Sequence, residues 1–167
     1  GLWAGVMFFA FALQAGVATP APRLVWPAPP DAPRIAYVRS IQGPADLGIK
    51  PSFWGRVGRW FAGADPERDQ LVKPFGIGLD AKGGLCLTDT GANTVFWFDK
   101  RRKAWHRWEQ AGKVRFASPV AIAKKGGSFY VADSGLGAVL AFNEAGHLLF
   151  HTKTGLERPA GLALCDN

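Results

Sequence analysis

The chain has 167 residues, of which 48% are hydrophobic, 13% are aromatic and only 20% are charged. This composition excludes an intrinsically disordered chain, which would hold more charge and fewer aromatic residues. The 21 glycines and 12 prolines exclude a long-helix protein, and two cysteines exclude a disulfide-stabilised scaffold. The formal net charge of +7 favours anionic partners.

Residues 1–22 carry no charge, and most of this segment is an apolar run from Leu2 to Ala18. An apolar run of about 17 residues followed by small residues is typical of a secretory signal peptide, here without its preceding basic residues. An uncleaved membrane anchor and a buried helix are the alternatives. The sequence therefore predicts an exported protein, which would be periplasmic, secreted or membrane-anchored.

Two further segments precede the rest of the chain. Residues 23–34 form a proline-rich spacer, for which extended polyproline II is expected. Residues 35–70 form a lead-in, which opens with a predicted strand over 35–41. Apolar residues at helical spacing then predict a short linker helix over 52–62. This helix would pack on its own domain or, given its Trp and Arg content, lie on a membrane surface.

From residue 71 to residue 167 the chain repeats itself. The prolines at 74, 119 and 159 open successive units 45 and 40 residues long, and Asp89 recurs 44 residues later as Asp133. A period in this range with four short strands per unit predicts the blades of a β-propeller, an all-β fold. The predicted strands are 75–79, 84–88, 94–98 and about 105–108 in the first unit, and 120–123, 128–132, 138–142 and 147–151 in the second.

The motif Pro-x-Gly-Ile-x-Leu-Asp at 74–80, followed by Gly-Gly-Leu-x-Leu-x-Asp-x-Gly-x-Asn-x-Val-x-x-Phe-Asp at 83–99, resembles the NHL repeat of six-bladed β-propellers. The proline-rich lead-in is similar to that of secreted bacterial NHL proteins. The second unit departs from the repeat at Lys124 and Gly137. Six such blades need roughly 240–270 residues, so the resemblance implies an incomplete propeller with two blades and the start of a third. It also implies that the strand at 35–41 closes the last blade.

Asp89 and Asp133 each end the second strand of a unit and precede a hydroxyl residue and a glycine. A carboxylate in this position accepts backbone N–H groups and stabilises a tight turn. Asn93 is expected to cap the first of these turns. A metal-binding or catalytic role of the two carboxylates is the alternative, because their loops would lie around a central channel.

Basic residues gather on the other turns. Turns alternate between the two ends of an antiparallel meander, so the first and third turns of each unit share one end. The seven basic residues predicted at this end, opposite Asp89 and Asp133, are called the basic face: Lys82, Lys100, Arg101, Arg102, Lys103, Lys124 and Lys125. The basic face is either a solvated surface or a docking patch for an anionic partner.

The histidines and cysteines, which could bind a metal or take part in catalysis, form no recognisable motif in the sequence. His106, His147 and His151 fall on or beside outer strands, and none matches the channel histidines of the zinc-dependent lyases in the NHL family. Neither a cofactor, a metal site nor a catalytic residue is predicted. Cys86 is expected to be a buried inert thiol, with a Cys86–Cys165 disulfide as the alternative.

These observations predict an exported propeller that acts as a binding or scaffold module for a protein or an anionic envelope polymer. Nucleic acid is not expected as a partner, since export separates the chain from RNA. Membrane contact is expected only through an uncleaved N-terminal segment. The alternative function is an NHL-like lyase or lactonase-type hydrolase whose active site lies mostly in further C-terminal blades.

Overall fold

The computed structural model describes residues 24–49, 66–152 and 155–165. The chain divides into two compact units, with the boundary between Arg39 and Ser40. The leader at 1–22 and the linker helix predicted over 52–62 lie outside the described residues. None of the helices in the described segments is long and apolar enough to cross a bilayer.

The first unit contains a two-stranded antiparallel sheet. Strand β1 (Val25–Trp26) lies in the proline-rich spacer and pairs with β2 (Ile35–Ala36). The prediction of a strand over 35–41 is therefore wrong beyond Ala36. Beyond Ala36 the segment pairs with no strand of the described residues, and Val38 is 86% exposed, so burial of apolar side chains does not stabilise a longer strand. One further bond, from the Tyr37 N–H to the Leu24 carbonyl at 2.8 Å, ends the ladder.

The second unit contains two four-stranded antiparallel meanders, which we call the first and second modules. The first module consists of β3 (Pro74–Leu79), β4 (Leu85–Asp89), β5 (Thr94–Asp99) and β6 (Ala104–Trp108). A hairpin of β7 (Gln110–Ala111) and β8 (Val114–Arg115) follows. The second module consists of β9 (Pro119–Lys125), β10 (Ser128–Asp133), β11 (Ala138–Asn143) and β12 (Leu148–Thr152).

These strands confirm the all-β class, and each predicted strand of the two repeats is present within two residues of its predicted ends. Two short 3-10 helices, Pro44–Leu47 and Pro66–Asp69, precede the modules. The described residues contain two meanders and no closed ring. The opening strand predicted for the third sequence repeat, near 158–164, is not formed, since residues 155–165 pair with no strand of the described chain.

The hydrophobic core lies between the two modules. Trp97 of β5 contacts Phe129 of β10 with ring centroids 5.4 Å apart, and Phe129 stacks on Phe142 at 5.2 Å. Trp108 of β6 meets Phe129 at 4.9 Å. Strands β4, β5, β10 and β11 are apolar on successive residues because both of their faces are covered, whereas a half-exposed strand would alternate.

The inner strands β3 and β9 lie side by side, and glycines make their approach close. A Cβ on Gly76 would lie 2.5 Å from the Val120 carbonyl oxygen, and one on Gly78 would lie 2.9 Å from that of Ile122. Neither position accepts a side chain, because real Cβ contacts are longer. Phe75, Ile77 and Leu79 alternate with these glycines along β3, and they are 63%, 71% and 72% exposed.

Candidate functional sites

Asp89 organises the turn between β4 and β5. Its carboxylate is fully buried and accepts N–H groups from two directions. Val72 and Lys73, in the segment entering the module, donate at 2.6 and 3.0 Å. Gly91 and Ala92, in the turn itself, donate at 2.8 and 2.9 Å. Both carboxylate oxygens are thereby engaged by the backbone of this module.

Asp133 repeats this arrangement in the second module. It is also fully buried, and it accepts the N–H groups of Ala117 and Ser118 at 2.8 and 2.9 Å. Gly135 and Leu136 donate to it at 3.0 Å each. Because these oxygens already hold backbone donors, both carboxylates serve as turn-forming groups. Nowhere in the described segments do three metal-ligating side chains gather.

The fourth residue after each carboxylate closes the turn in the left-handed region, Asn93 with φ 51° and Gly137 with φ 60°. The acceptors around the Asn93 amide require its nitrogen to face the carbonyls of Thr90 and Ala117, at 3.2 and 2.7 Å. The bond to Ala117 joins the first module to the segment entering the second. At Gly137 a Cβ would lie 2.8 Å from the Leu156 carbonyl oxygen, so the close approach of residue 156 leaves no room for a side chain there.

Two buried carboxylates shape the turns at the opposite end of the first module. Asp99 accepts the N–H groups of Arg101 and Arg102 at 2.9 and 3.1 Å. Asp80 accepts those of Lys82 and Gly84 at 2.8 and 2.7 Å. Burial alone would raise the pKa of each carboxyl, but the N–H donors hold both pKa values below the ordinary range. The turns therefore keep their shape at neutral pH.

Five members of the basic face lie on these two turns and are exposed: Lys82, Lys100, Arg101, Arg102 and Lys103. Arg102 pairs with Asp99 at 3.4 Å and with Glu144 at 3.7 Å. Within the described segments the other four form no ion pair. Lys125 is exposed in the second module, where its ammonium donates to the Cys165 carbonyl at 3.4 Å.

Lys124 does not belong on an exposed face, which corrects its assignment to the basic face. Its side chain is only 6% exposed. Its ammonium lies 4.6 Å from the Trp97 ring centroid and 5.2 Å from that of Phe129. It also donates to Glu144 at 3.0 Å. Lys124 therefore links the two modules by cation–π contacts and a half-buried ion pair.

A second group of basic residues in this part of the chain shares one carboxylate. Glu109 forms ion pairs with three arginines, at 2.6 Å with Arg68, at 3.9 Å with Arg115 and in close contact with Arg107. Hydrogen bonds from Arg68 and Arg107 lower the pKa of Glu109 to about 2. These arginines are therefore held at the module edge by ion pairs, whereas four cations of the basic face form none within the described segments.

The histidines and cysteines do not form a site in the described part of the chain. His106 stacks on Trp97 and on Trp108, with centroid separations of 4.8 and 5.8 Å. Burial lowers the pKa of His106, so the ring is neutral at pH 7. Burial raises the pKa of the Cys86 thiol to about 12, and Cys165 is exposed. Both thiols are free, and the alternative of a Cys86–Cys165 disulfide is not formed.

A pocket of about 430 Å³ lies at the Asp89 and Asp133 end of the modules, and the sequence did not predict it. Its lining residues occupy equivalent places in successive repeats. Lys73, Ser118 and Arg158 precede the repeat prolines, and Phe75, Val120 and Ala160 follow them. Thr90 and Ser134 are the hydroxyl residues after the two aspartates, and Pro159 is itself a repeat proline. The sequence does hold a signal for this pocket, because the residue that precedes each repeat proline is polar.

No protein-family model matches this chain, and a search of the curated proteins finds no matching sequence. The resemblance to the NHL repeat therefore remains a prediction that rests on the motifs at 74–80 and 83–99.

Proposed function

We propose that this chain is part of an exported NHL-type β-propeller that acts as a binding or scaffold module for an anionic partner, either an envelope polymer or an acidic protein surface. Export rests on the uncharged apolar leader at 1–22. The propeller assignment is supported by two meanders of matching strand order that pack face to face through their inner strands.

The observation that carries the binding proposal is the charge of the two first-module turns. Lys82, Lys100, Arg101 and Lys103 are exposed and form no ion pair in the described part of the chain. Their backbone is held by the buried carboxylates of Asp80 and Asp99. A preorganised cluster of like charges attracts a polyanion because little ordering entropy is lost on binding.

Charge reversal tests the proposal directly. The variant Arg101→Glu/Lys103→Glu changes the charge of the cluster by four units without touching the buried carboxylates. Binding of the purified chain to dextran sulfate and to poly-L-glutamate is measured by sedimentation or light scattering at 50 and 200 mM salt. The wild-type chain should bind and should weaken steeply with salt, and the variant should bind at least roughly tenfold more weakly.

The matched control is Lys113→Glu/Arg115→Glu, which makes the same charge change on the β7–β8 hairpin. Both control residues are exposed and lie outside the basic face. The proposal expects the control to keep its affinity within about twofold. Equal losses in the two variants would reduce the effect to net charge and overturn the proposal. Preference for poly-L-glutamate over dextran sulfate would identify an acidic protein rather than a sulfated or phosphorylated polymer.

The enzyme alternative, a lyase or lactonase-type hydrolase, is favoured by no observation in the described segments. The two repeated carboxylates that line loops have their oxygens filled by backbone N–H groups. The binding module is therefore the function that the geometry supports best.

A further inference from the structure

The pocket at the Asp89 and Asp133 end has an unusual distribution of charge. Lys73 and Arg158 are among its lining residues, and both are exposed. Its lining residues include no acidic side chain. Asp89 and Asp133, which precede the lining residues Thr90 and Ser134, are fully buried and are surrounded by N–H donors. The pocket therefore presents two positive charges that no lining residue neutralises.

Three hydroxyl residues, Thr90, Ser118 and Ser134, line the same pocket. Ser134 donates to the Ser118 carbonyl or hydroxyl, at 3.3 or 3.2 Å. Thr90 donates to the Lys73 carbonyl at 3.3 Å. When Ser134 donates to the Ser118 hydroxyl, the Ser118 proton is left to a ligand. Ammonium, guanidinium and hydroxyl donors on one concave surface are the groups that bind anionic oxygens.

The rest of the lining is apolar. Phe75, Val120, Pro159 and Ala160 contribute carbon surface, and Phe75 is 63% exposed. The volume of about 430 Å³ falls within the range of pockets that hold small organic molecules. An inorganic ion would leave most of this surface uncovered. The lining therefore fits a ligand with an anionic head and an apolar body.

We propose that this pocket binds a small organic anion, with its head between Lys73 and Arg158 and its apolar body against Phe75 and Pro159. The head carries anionic oxygens and is a phosphate or a carboxylate. The site is separate from the basic face, because the β4–β5 and β10–β11 turns lie at the opposite end of the strands from the turns that bear Lys82 and Arg101. The inference does not depend on the proposed function.

The experiment is a titration of the full chain, with amide chemical shifts as the readout. Phenyl phosphate and benzoate are the two candidate heads, inorganic phosphate is the head alone, and benzyl alcohol is the body alone. Saturable shifts are expected at Thr90, Ser118 and Ser134 with one of the two organic anions. That anion should bind at least roughly tenfold more tightly than inorganic phosphate or benzyl alcohol, since both halves of the pocket are used.

Two variants separate charge from shape. Lys73→Gln/Arg158→Gln should weaken the preferred organic anion by at least roughly tenfold, because charge-assisted hydrogen bonds are the strong ones. Phe75→Ala should lower the ratio between the affinity of the preferred organic anion and that of inorganic phosphate. Lys113→Gln/Arg115→Gln, which removes the same charge elsewhere, should leave the affinity within about twofold of wild type.

Three outcomes would overturn the inference. The first is the absence of saturable shifts at these three residues with either organic anion. The second is binding of inorganic phosphate as tight as that of both organic anions. The third is an equal loss of affinity in the Lys113→Gln/Arg115→Gln control. Thermal unfolding of each variant verifies that it is folded before its affinity is interpreted.

Discussion

The inner strands of the two modules have the same pattern and opposite exposure. In β9, Val120 and Ile122 are 9% and 6% exposed because they pack on the first module. At the equivalent places of β3, Phe75 and Ile77 are 63% and 71% exposed. The same alternation of side chains therefore contributes to the core in the second module and forms a solvent-exposed apolar face in the first. The difference shows that the first module buries the inner strand of the second, whereas no described residue buries the inner strand of the first.

The largest expected effect tests this comparison with one substitution at two equivalent positions. Ile122→Ala should lower the free energy of unfolding by about 3 kcal/mol, because it leaves a cavity between the modules. Ile77→Ala should cost less than about 1 kcal/mol, since solvent already reaches that side chain. Urea unfolding of the two variants measures both values, and equal losses would mean that β3 is covered in solution.

Lys124 sharpens the comparison, since the first module has Leu79 at the equivalent place. Lys124→Ala should cost about 1–2 kcal/mol, because it removes the cation–π contacts and leaves Glu144 without its closest partner. Leu79 is 72% exposed, so Leu79→Ala should cost less than about 0.5 kcal/mol. A Lys124→Ala variant as stable as wild type would exclude an inter-module role for this lysine.

His106 gives the interface between aromatic residues a pH dependence. Burial lowers its pKa in the folded state, so below about pH 6.5 the unfolded chain binds more protons than the folded chain. The free energy of unfolding should therefore fall as the pH is lowered from 7.5 to 5.5. His106→Gln should remove this part of the slope, whereas His147→Gln, at an exposed position, should retain it. A slope unaffected by His106→Gln would assign the proton uptake to another group.

The smallest expected effect compares the left-handed turn positions. Lys103 adopts φ 50°, which costs a residue with a Cβ roughly 1 kcal/mol, so Lys103→Gly should raise stability by about 0.5 kcal/mol after the entropy of glycine is subtracted. Gly137→Ala should instead be destabilising, because its Cβ would meet the Leu156 carbonyl at 2.8 Å. Thermal unfolding measures both changes, and stabilisation by Gly137→Ala would contradict the close approach of residue 156.

The strands of each module could be predicted from the sequence because their ends and burial depend on patterns within each repeat. The 44-residue recurrence of Asp89 as Asp133 fixes where each second strand ends, and the carboxylate must then find the N–H groups of its own turn. Successive apolar residues in β4 and β5 indicate strands covered on both faces. These features require knowledge of one module only.

The features that the sequence did not reveal depend on contacts between segments. The second-module inner strand was predicted to end at Ala123, which placed Lys124 in a turn. The strand extends to Lys125, and the two-residue period then puts Lys124 on the same face as Ile122, against Trp97. The pocket was missed for the same reason, because Lys73, Ser118 and Arg158 meet only when three repeats are packed together.

Thiol accessibility distinguishes the inner strand of the second module, which the first module covers, from the solvent-exposed inner strand of the first module. In a Cys165→Ser background, Ile77→Cys and Ile122→Cys are each labelled with a thiol reagent under native conditions, and Cys86 serves as the internal buried reference. The burial of the two strands predicts that Cys at position 77 reacts about as fast as in the unfolded chain, whereas Cys at position 122 is protected like Cys86. Protection at both positions, or rapid labelling at both, would contradict it.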